Sequence, residues 1–313
     1  MKKGIVLLIC MALSAVSLWG CGSPEAEETA SASVSAAAVS ATSSPAVRTL
    51  SESFSYSTRE TWVRHDGGQI YGIAYIPDDG RSQHPLVIFA HELGENHTTG
   101  IPYAEHLAAC GYAVYVFDFC GGSANGTENQ SDGSSAEMSV MTETSDLESV
   151  LEAARDWDFA DSDHIALLGG SQGGFVSAVT AAENTDTVSA LILMYPAFVI
   201  YDDVHERFSS LDEVPDTFGQ WGGWITLGKS YAEDVWDYDP YEHISAYQGP
   251  VLILHGDSDA LVDISYGERA AEVYSDAEFH TISGGGHGFY GQPFEDALQY
   301  IKGFLAQHMP AEA

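Results

Sequence analysis

The pentapeptide Gly169-Gly170-Ser171-Gln172-Gly173 sets a serine among small residues, after the strand-like run His164–Leu168 and ahead of the helix-like run Phe175–Ala182. A Gly-x-Ser-x-Gly match has weight only in this strand, tight turn and helix context, which a nucleophilic serine on a strained elbow requires. Side chains two residues to either side of Ser171 would collide with the crossing strand and helix, and Gly173-Gly174 lets helix N-terminal amides approach a developing oxyanion. A phosphate-binding turn is the rival, but no lysine follows and the Gly-x-Gly-x-x-Gly pattern is absent. A serine hydroxyl is barely ionised near neutrality, so it needs a histidine to take its proton and a carboxylate to orient that histidine. Of the twelve histidines, His287 in Gly284-Gly285-Gly286-His287-Gly288-Phe289 occupies the late loop that the chain order serine, acid, histidine demands. The acid is expected after the run Val251–His255, where Asp257, Asp259 and Asp263 lie; Asp259 is the choice, with Asp257 a solvated turn residue.

These residues need a scaffold that brings the ends of several strands together. Pro85–Ala90, Tyr112–Phe119, His164–Gly169, Ala190–Tyr195 and Val251–His255 are continuous apolar runs, the pattern of strands buried on both faces of a parallel sheet. Glu278–Ile282 adds a last strand. Thr61–His65 and Gln69–Ile76, split by Asp66-Gly67-Gly68, read as a hairpin. Ser139–Trp157 places Met141, Thr144, Leu147, Val150, Leu151 and Ala154 on one helical face, and Ser265–Tyr274 and Phe294–His308 are shorter helices. The alternation predicts an α/β fold with a mostly parallel, doubly wound sheet and an N-terminal antiparallel hairpin at its edge. Between Tyr195 and Val251 the connection is swollen by an aromatic-rich segment, read as a cap over about 198–241; most of its aromatic side chains are expected to form a small core of their own.

The elbow, the stretch His255-Gly256 to Val262 and the Gly-His-Gly-Phe loop resemble the α/β-hydrolase superfamily, in particular its bacterial cinnamoyl and feruloyl esterases, over roughly Glu60–His308. Val116-Phe117-Asp118-Phe119, Ser265–Ala271 and Gln172 support the likeness. The resemblance implies a carboxylic ester hydrolase acting through an acyl-enzyme on hydroxycinnamoyl or other small aryl esters, with no cofactor. It also implies an oxyanion hole made by the backbone amides of Gln172 and Leu93. Ala90-His91-Glu92-Leu93-Gly94 departs from the family pattern, with Glu92 where glycine is expected: either this carboxylate faces outward or it weakens the hole, because like charges repel strongly where water is excluded. A peptidase or aminopeptidase of the same fold is the alternative, with Glu92 available to a substrate ammonium and Gln172 where such peptidases often have tyrosine. A noncatalytic surface-binding lipoprotein would be missing a triad member, and none is missing.

The formal charge of −35 disfavours nucleic acid and anionic lipid surfaces as partners. Residues 1–21 read as an export signal: Lys2 and Lys3, the apolar run Ile5–Leu18, then Leu18-Trp19-Gly20-Cys21, which resembles a bacterial lipobox with Cys21 as the lipidated mature N-terminus. Residues 22–59 read as a disordered tether and lead-in, and 60–313 as the hydrolase domain. The expected location is the outer face of a bacterial membrane, held by the N-terminal lipid alone, with plain secretion as the alternative. Cys110 and Cys120 flank a strand-like run that would separate them by roughly 30 Å, so no disulfide joins them. No Cys/His spacing suggests a metal site.

Overall fold

A computed structural model describes residues 50–66 and 68–311. The segment read as an export signal, Cys21 and most of the segment read as a tether lie outside the described residues. Strands β1 (Tyr56–His65) and β2 (Gly68–Pro77) form the edge hairpin, and β3 (His84–Ala90) follows. Helix α1 (Ile101–Ala109) leads into β4 (Ala113–Phe117), α2 (Val140–Ala154) into β5 (Ala160–Gly170), and α3 (Ser171–Glu183) into β6 (Val188–Met194). Beyond the cap come β9 (Val251–Gly256), α7 (Ile264–Val273), β10 (Ala277–Ile282) and α8 (Gln292–His308). The cap itself carries α4 (Ile200–Arg207), the hairpin β7 (Thr217–Gln220) and β8 (Ile225–Gly228), α5 (Lys229–Glu233) and α6 (Pro240–Ile244).

The sheet order is β1-β2-β4-β3-β5-β6-β9-β10. From β4 to β10 every pairing is parallel, and β2 alone runs against its neighbours. This is the mostly parallel, doubly wound sheet with an antiparallel hairpin at its edge that the apolar runs predict. Every residue of β3, β4 and β9 is buried, because helices cover both faces. One apolar layer packs Leu147, Val150 and Leu151 of α2 and the face of α3 against the sheet and merges with the cap; the other sets Leu107 of α1 and Ile301 and Leu305 of α8 on the opposite face.

Helix α2 starts at Val140 because Ser139 caps it, its Oγ accepting from the Thr142 amide while Thr142 Oγ1 accepts from the Ser139 amide. It ends at Ala154, and Arg155–Trp157 form turns instead of prolonging it. The domain starts ahead of Glu60, the boundary expected above. The amides of Ser53 and Phe54 donate to Ala109 O, and Glu52 pairs with Lys302, so the last lead-in residues pack on the domain. Cys110 and Cys120 are both free thiols.

Candidate active site

Ser171 is the first residue of α3, directly after β5, with φ of 49°, a left-handed backbone that an L-residue adopts only under constraint. Two close approaches impose it. A methyl group on Gly169 would stand 2.2 Å from Gly173 O, and one on Gly173 would stand 2.2 Å from Ala90 O. Both glycines are therefore steric requirements of the turn.

His287 lies in the loop after β10. Its Nε2 is 2.8 Å from Ser171 Oγ and its Nδ1 is 2.9 Å from Asp259 Oδ2. Asp259 follows β9 and is saturated with donors: its Oδ1 accepts from the amides of Leu261 (2.9 Å) and Val262 (3.0 Å). Burial pushes its carboxyl up, but hydrogen bonds from His255, His287 and those two amides outweigh burial and hold it well below the usual carboxylate range. An ionised Asp259 fixes the tautomer of His287 with the proton on Nδ1, leaving Nε2 free to accept from the serine hydroxyl. The neighbouring acids do other work. Asp257 is exposed and accepts from the Gly284 amide (2.7 Å), shaping the loop that carries His287. Asp263 caps α7 by accepting from the Ser265 amide.

Leu93 and Gln172 both line the space beside Ser171. Gln172 is the second residue of α3, so its N–H has no partner four residues back within the helix. The orientation of the Leu93 amide has a source the motifs did not reveal. Buried His91 accepts from the Phe119 amide at Nε2 (3.0 Å), so its Nδ1 carries the proton and donates to Glu92 O (2.8 Å). Burial lowers its pKa, which keeps the ring neutral and suited to this donor and acceptor pair. In a planar trans peptide the carbonyl and the following N–H point in opposite directions, so anchoring Glu92 O turns the Leu93 N–H the other way.

Glu92 does not face outward. Tyr195 Oη donates to its Oε1 (2.8 Å), and its Oε2 is buried without a hydrogen-bond partner among the described residues. The Gln172 side chain is clamped on both sides. Its Nε2 donates to Glu143 of α2 (2.8 Å), and its Oε1 accepts from Tyr231 Oη of α5 in the cap (2.6 Å). Burial holds Glu143 well above the carboxylate range, with the Gln172 bond opposing only in part. Tyr195, Glu143 and Tyr231 belong to no chemical motif, because their partners are remote in the chain, and the His91 contact with Phe119 is equally remote.

Two spaces meet at Ser171 and His287. One, about 70 Å³, lies under the cap against Val204, Phe208, Phe218, Leu227 and Tyr231. The other is a cleft of about 650 Å³ bounded by Glu92, Glu95, Tyr103 and the segment after His287. Phe198 and Tyr241 are buried in the core with ring centroids 5.2 Å apart, whereas Trp221 and Trp224 stand at the mouth, 54% and 38% exposed. Among the described residues no group of side chains could hold a metal ion.

The structure of Est1E from Butyrivibrio proteoclasticus with ferulic acid bound superposes with a TM-score of 0.72 at 23% identity, covering 80% of this chain and 99% of that one. Mouse alpha/beta hydrolase domain-containing protein 10 gives a TM-score of 0.63 at 18% identity over 80% of this chain and 99% of that one. In sequence, the acylamino-acid-releasing enzyme of Sus scrofa is 24% identical over 225 residues, 66% of this chain and 28% of that protein. The human enzyme of that name is 23% identical over 205 residues, 60% of this chain and 26% of that protein. The chain thus spans about a quarter of the length of these curated relatives. The model of the prolyl oligopeptidase family, Peptidase_S9, matches residues 102–311, and with the serine elbow on an α/β-hydrolase sheet this chain belongs to that family as a serine hydrolase.

Proposed function

We propose that the protein is a carboxylic ester hydrolase that uses Ser171, His287 and Asp259 as a triad, on hydroxycinnamoyl or other small aryl esters. The observation that carries this reading is the unbroken line of hydrogen bonds from Asp259 through His287 to Ser171, opening onto an apolar space under the cap. Ser171 Oγ attacks the ester carbonyl while His287 Nε2 takes its proton. The amides of Gln172 and Leu93 receive the oxyanion, His287 returns the proton to the leaving oxygen, and water then releases the acyl group. A flat, rigid acyl group loses little rotational freedom on entering the space under the cap, while a flexible chain must be ordered at a further entropic cost. The likeness in fold to a protein solved with ferulic acid supports the same substrate class.

A panel of methyl hydroxycinnamates, short aliphatic esters and aminoacyl amides tests the reading, with the highest kcat/KM expected on the hydroxycinnamates. A preference for aminoacyl amides would establish instead the peptidase reading, which the acylamino-acid-releasing relatives and inward-facing Glu92 favour. We propose further that Cys21 is lipidated and anchors the enzyme outside the cell. Mass spectrometry of the membrane fraction tests this, and a mature form lacking Cys21 would refute it.

A further inference from the structure

We propose that the wide cleft beside Ser171 receives a positively charged leaving group, an ammonium or quaternary ammonium alcohol, through Glu95 and Glu92 and an aromatic rim. The inference rests on the ester-hydrolase reading and adds the class of alcohol. The cleft of about 650 Å³ is large enough for a substantial leaving group. It is walled by Gly288, Phe289, Tyr290 and Gly291, the residues following His287, and the leaving oxygen must lie beside that histidine to take its proton.

The lining has one sign of charge. Glu92 and Glu95 both border the cleft, and among the described residues no lysine or arginine does. The Glu95 carboxylate has no hydrogen-bond or ion-pair partner among the described residues, and one Glu92 oxygen is buried without one. Burial and the charge of Glu92 push the Glu95 carboxyl up; burial and the two glutamates together push up the Tyr290 phenol. These groups therefore share one negative field that no lysine or arginine of the cleft offsets.

The aromatic faces suit the same ligand. Tyr290 is 81% exposed at the mouth, and Trp221 and Trp224 stand with ring centroids 5.6 Å apart. A cation over a tryptophan or tyrosine face is drawn by the ring quadrupole, and aromatic cages with nearby carboxylates recognise quaternary ammonium groups. Trp224 is also fixed in place. Its carbonyl accepts from the Asn125 amide (3.1 Å), and a methyl group on Gly94 would stand 2.2 Å from its ring, so the indole rests directly on the loop that carries Glu92 and Glu95. The chemical step is unchanged: the Ser171 Oγ to carbonyl bond forms, the bond from carbonyl to the choline-like oxygen breaks, and the His287 proton leaves with the alcohol.

The test compares the feruloyl ester of choline with the feruloyl ester of 3,3-dimethylbutanol, its uncharged carbon isostere. The expected result is a kcat/KM about tenfold or more in favour of the choline ester, falling with added salt and collapsing toward parity in Glu95→Gln. Equal rates, or a preference for the neutral ester that Glu95→Gln leaves unchanged, would overturn the proposal while leaving the ester-hydrolase reading intact. A second measurement does not depend on ester turnover: protection of Ser171 from a fluorophosphonate probe by tetramethylammonium and by 3,3-dimethylbutanol. Stronger protection by tetramethylammonium, lost in Glu95→Gln, supports the cation site even if neither ester is cleaved. Stronger or equal protection by the alcohol counts against it.

Discussion

The carboxyl edge of the sheet and the cap meet at Ser171, yet they are held together by different physics. At the sheet edge each element has a short-range steric or hydrogen-bonded cause: glycines where backbone touches backbone, an aspartate with both oxygens occupied, a histidine between two partners. The cap is joined to the core by ring contacts such as Phe175 with Phe198 (5.8 Å) and by a few polar links such as Tyr231 with Gln172. Under the proposed function, bond-breaking belongs to the sheet edge and the choice of substrate to the cap and the wide cleft. Variants at the two regions should therefore fail differently.

The largest effect is expected at the nucleophile. Ser171→Ala should lower turnover of an activated aryl ester by on the order of 10⁶, with circular dichroism unchanged. Substantial remaining turnover would dismantle the sheet-edge half of the comparison. Asp259→Asn should cost about 10⁴ in kcat by presenting the wrong tautomer of His287, while Asp257→Asn should cost far less, since among the described residues the Asp257 carboxylate bonds the Gly284 amide and Ser258. A greater loss in the second variant would reverse the two roles.

Gly94→Ala is expected to destabilise the fold by about 1–3 kcal/mol in urea denaturation, because its φ of 79° and the Trp224 ring leave no room for a side chain. Tyr231→Phe removes a single hydrogen bond across the boundary and should lower kcat/KM by about fivefold on aryl esters and less on acetyl esters. A uniform loss on both would mean that the cap sets the oxyanion geometry rather than the acyl preference.

The smallest expected effect is one of pH. Because hydrogen bonds depress the folded pKa of Asp259, its contribution to stability is present above the ordinary aspartate value near 4 and is lost only as pH falls through the lower folded value. The difference in Tm between the wild type and Asp259→Asn should accordingly be no smaller at pH 5 than at pH 7. A difference that shrinks over that interval would mean the carboxylate titrates in the ordinary range or above.

The strands were legible because burial on both faces leaves an unbroken apolar run, and the elbow because its glycines answer a local collision. The cap hairpin was not: Thr217–Gln220 and Ile225–Gly228 are four residues each, too short for alternation to register. Helix α1 has nine residues, with Tyr103, Ala104, Leu107 and Ala108 buried, and is likewise too brief to stand out. In the site, Ser171 and His287 could be picked from motif and chain order, whereas Asp259 stood among three aspartates and is set apart by its spacing after His255-Gly256. The work of His91 could not, since it depends on the amide of Phe119, 28 residues away, and Glu92 could be flagged as a departure without its Tyr195 partner being visible 103 residues on.

The hydrogen bonds from Ser53 and Phe54 to Ala109 have a consequence for orientation. Ala109 closes α1 just ahead of the starting end of β4, and β1 starts at that end too, because β2 reverses between them. Ser171, Asp259 and His287 all follow the finishing ends of their strands, at the other pole of the sheet. Arg81 joins Ala311 O to Gly111 O at the first pole, so both ends of the described chain gather there. A label or fusion joined at Leu50 would therefore enter at the pole opposite the mouth and leave both spaces beside Ser171 open to bulky material.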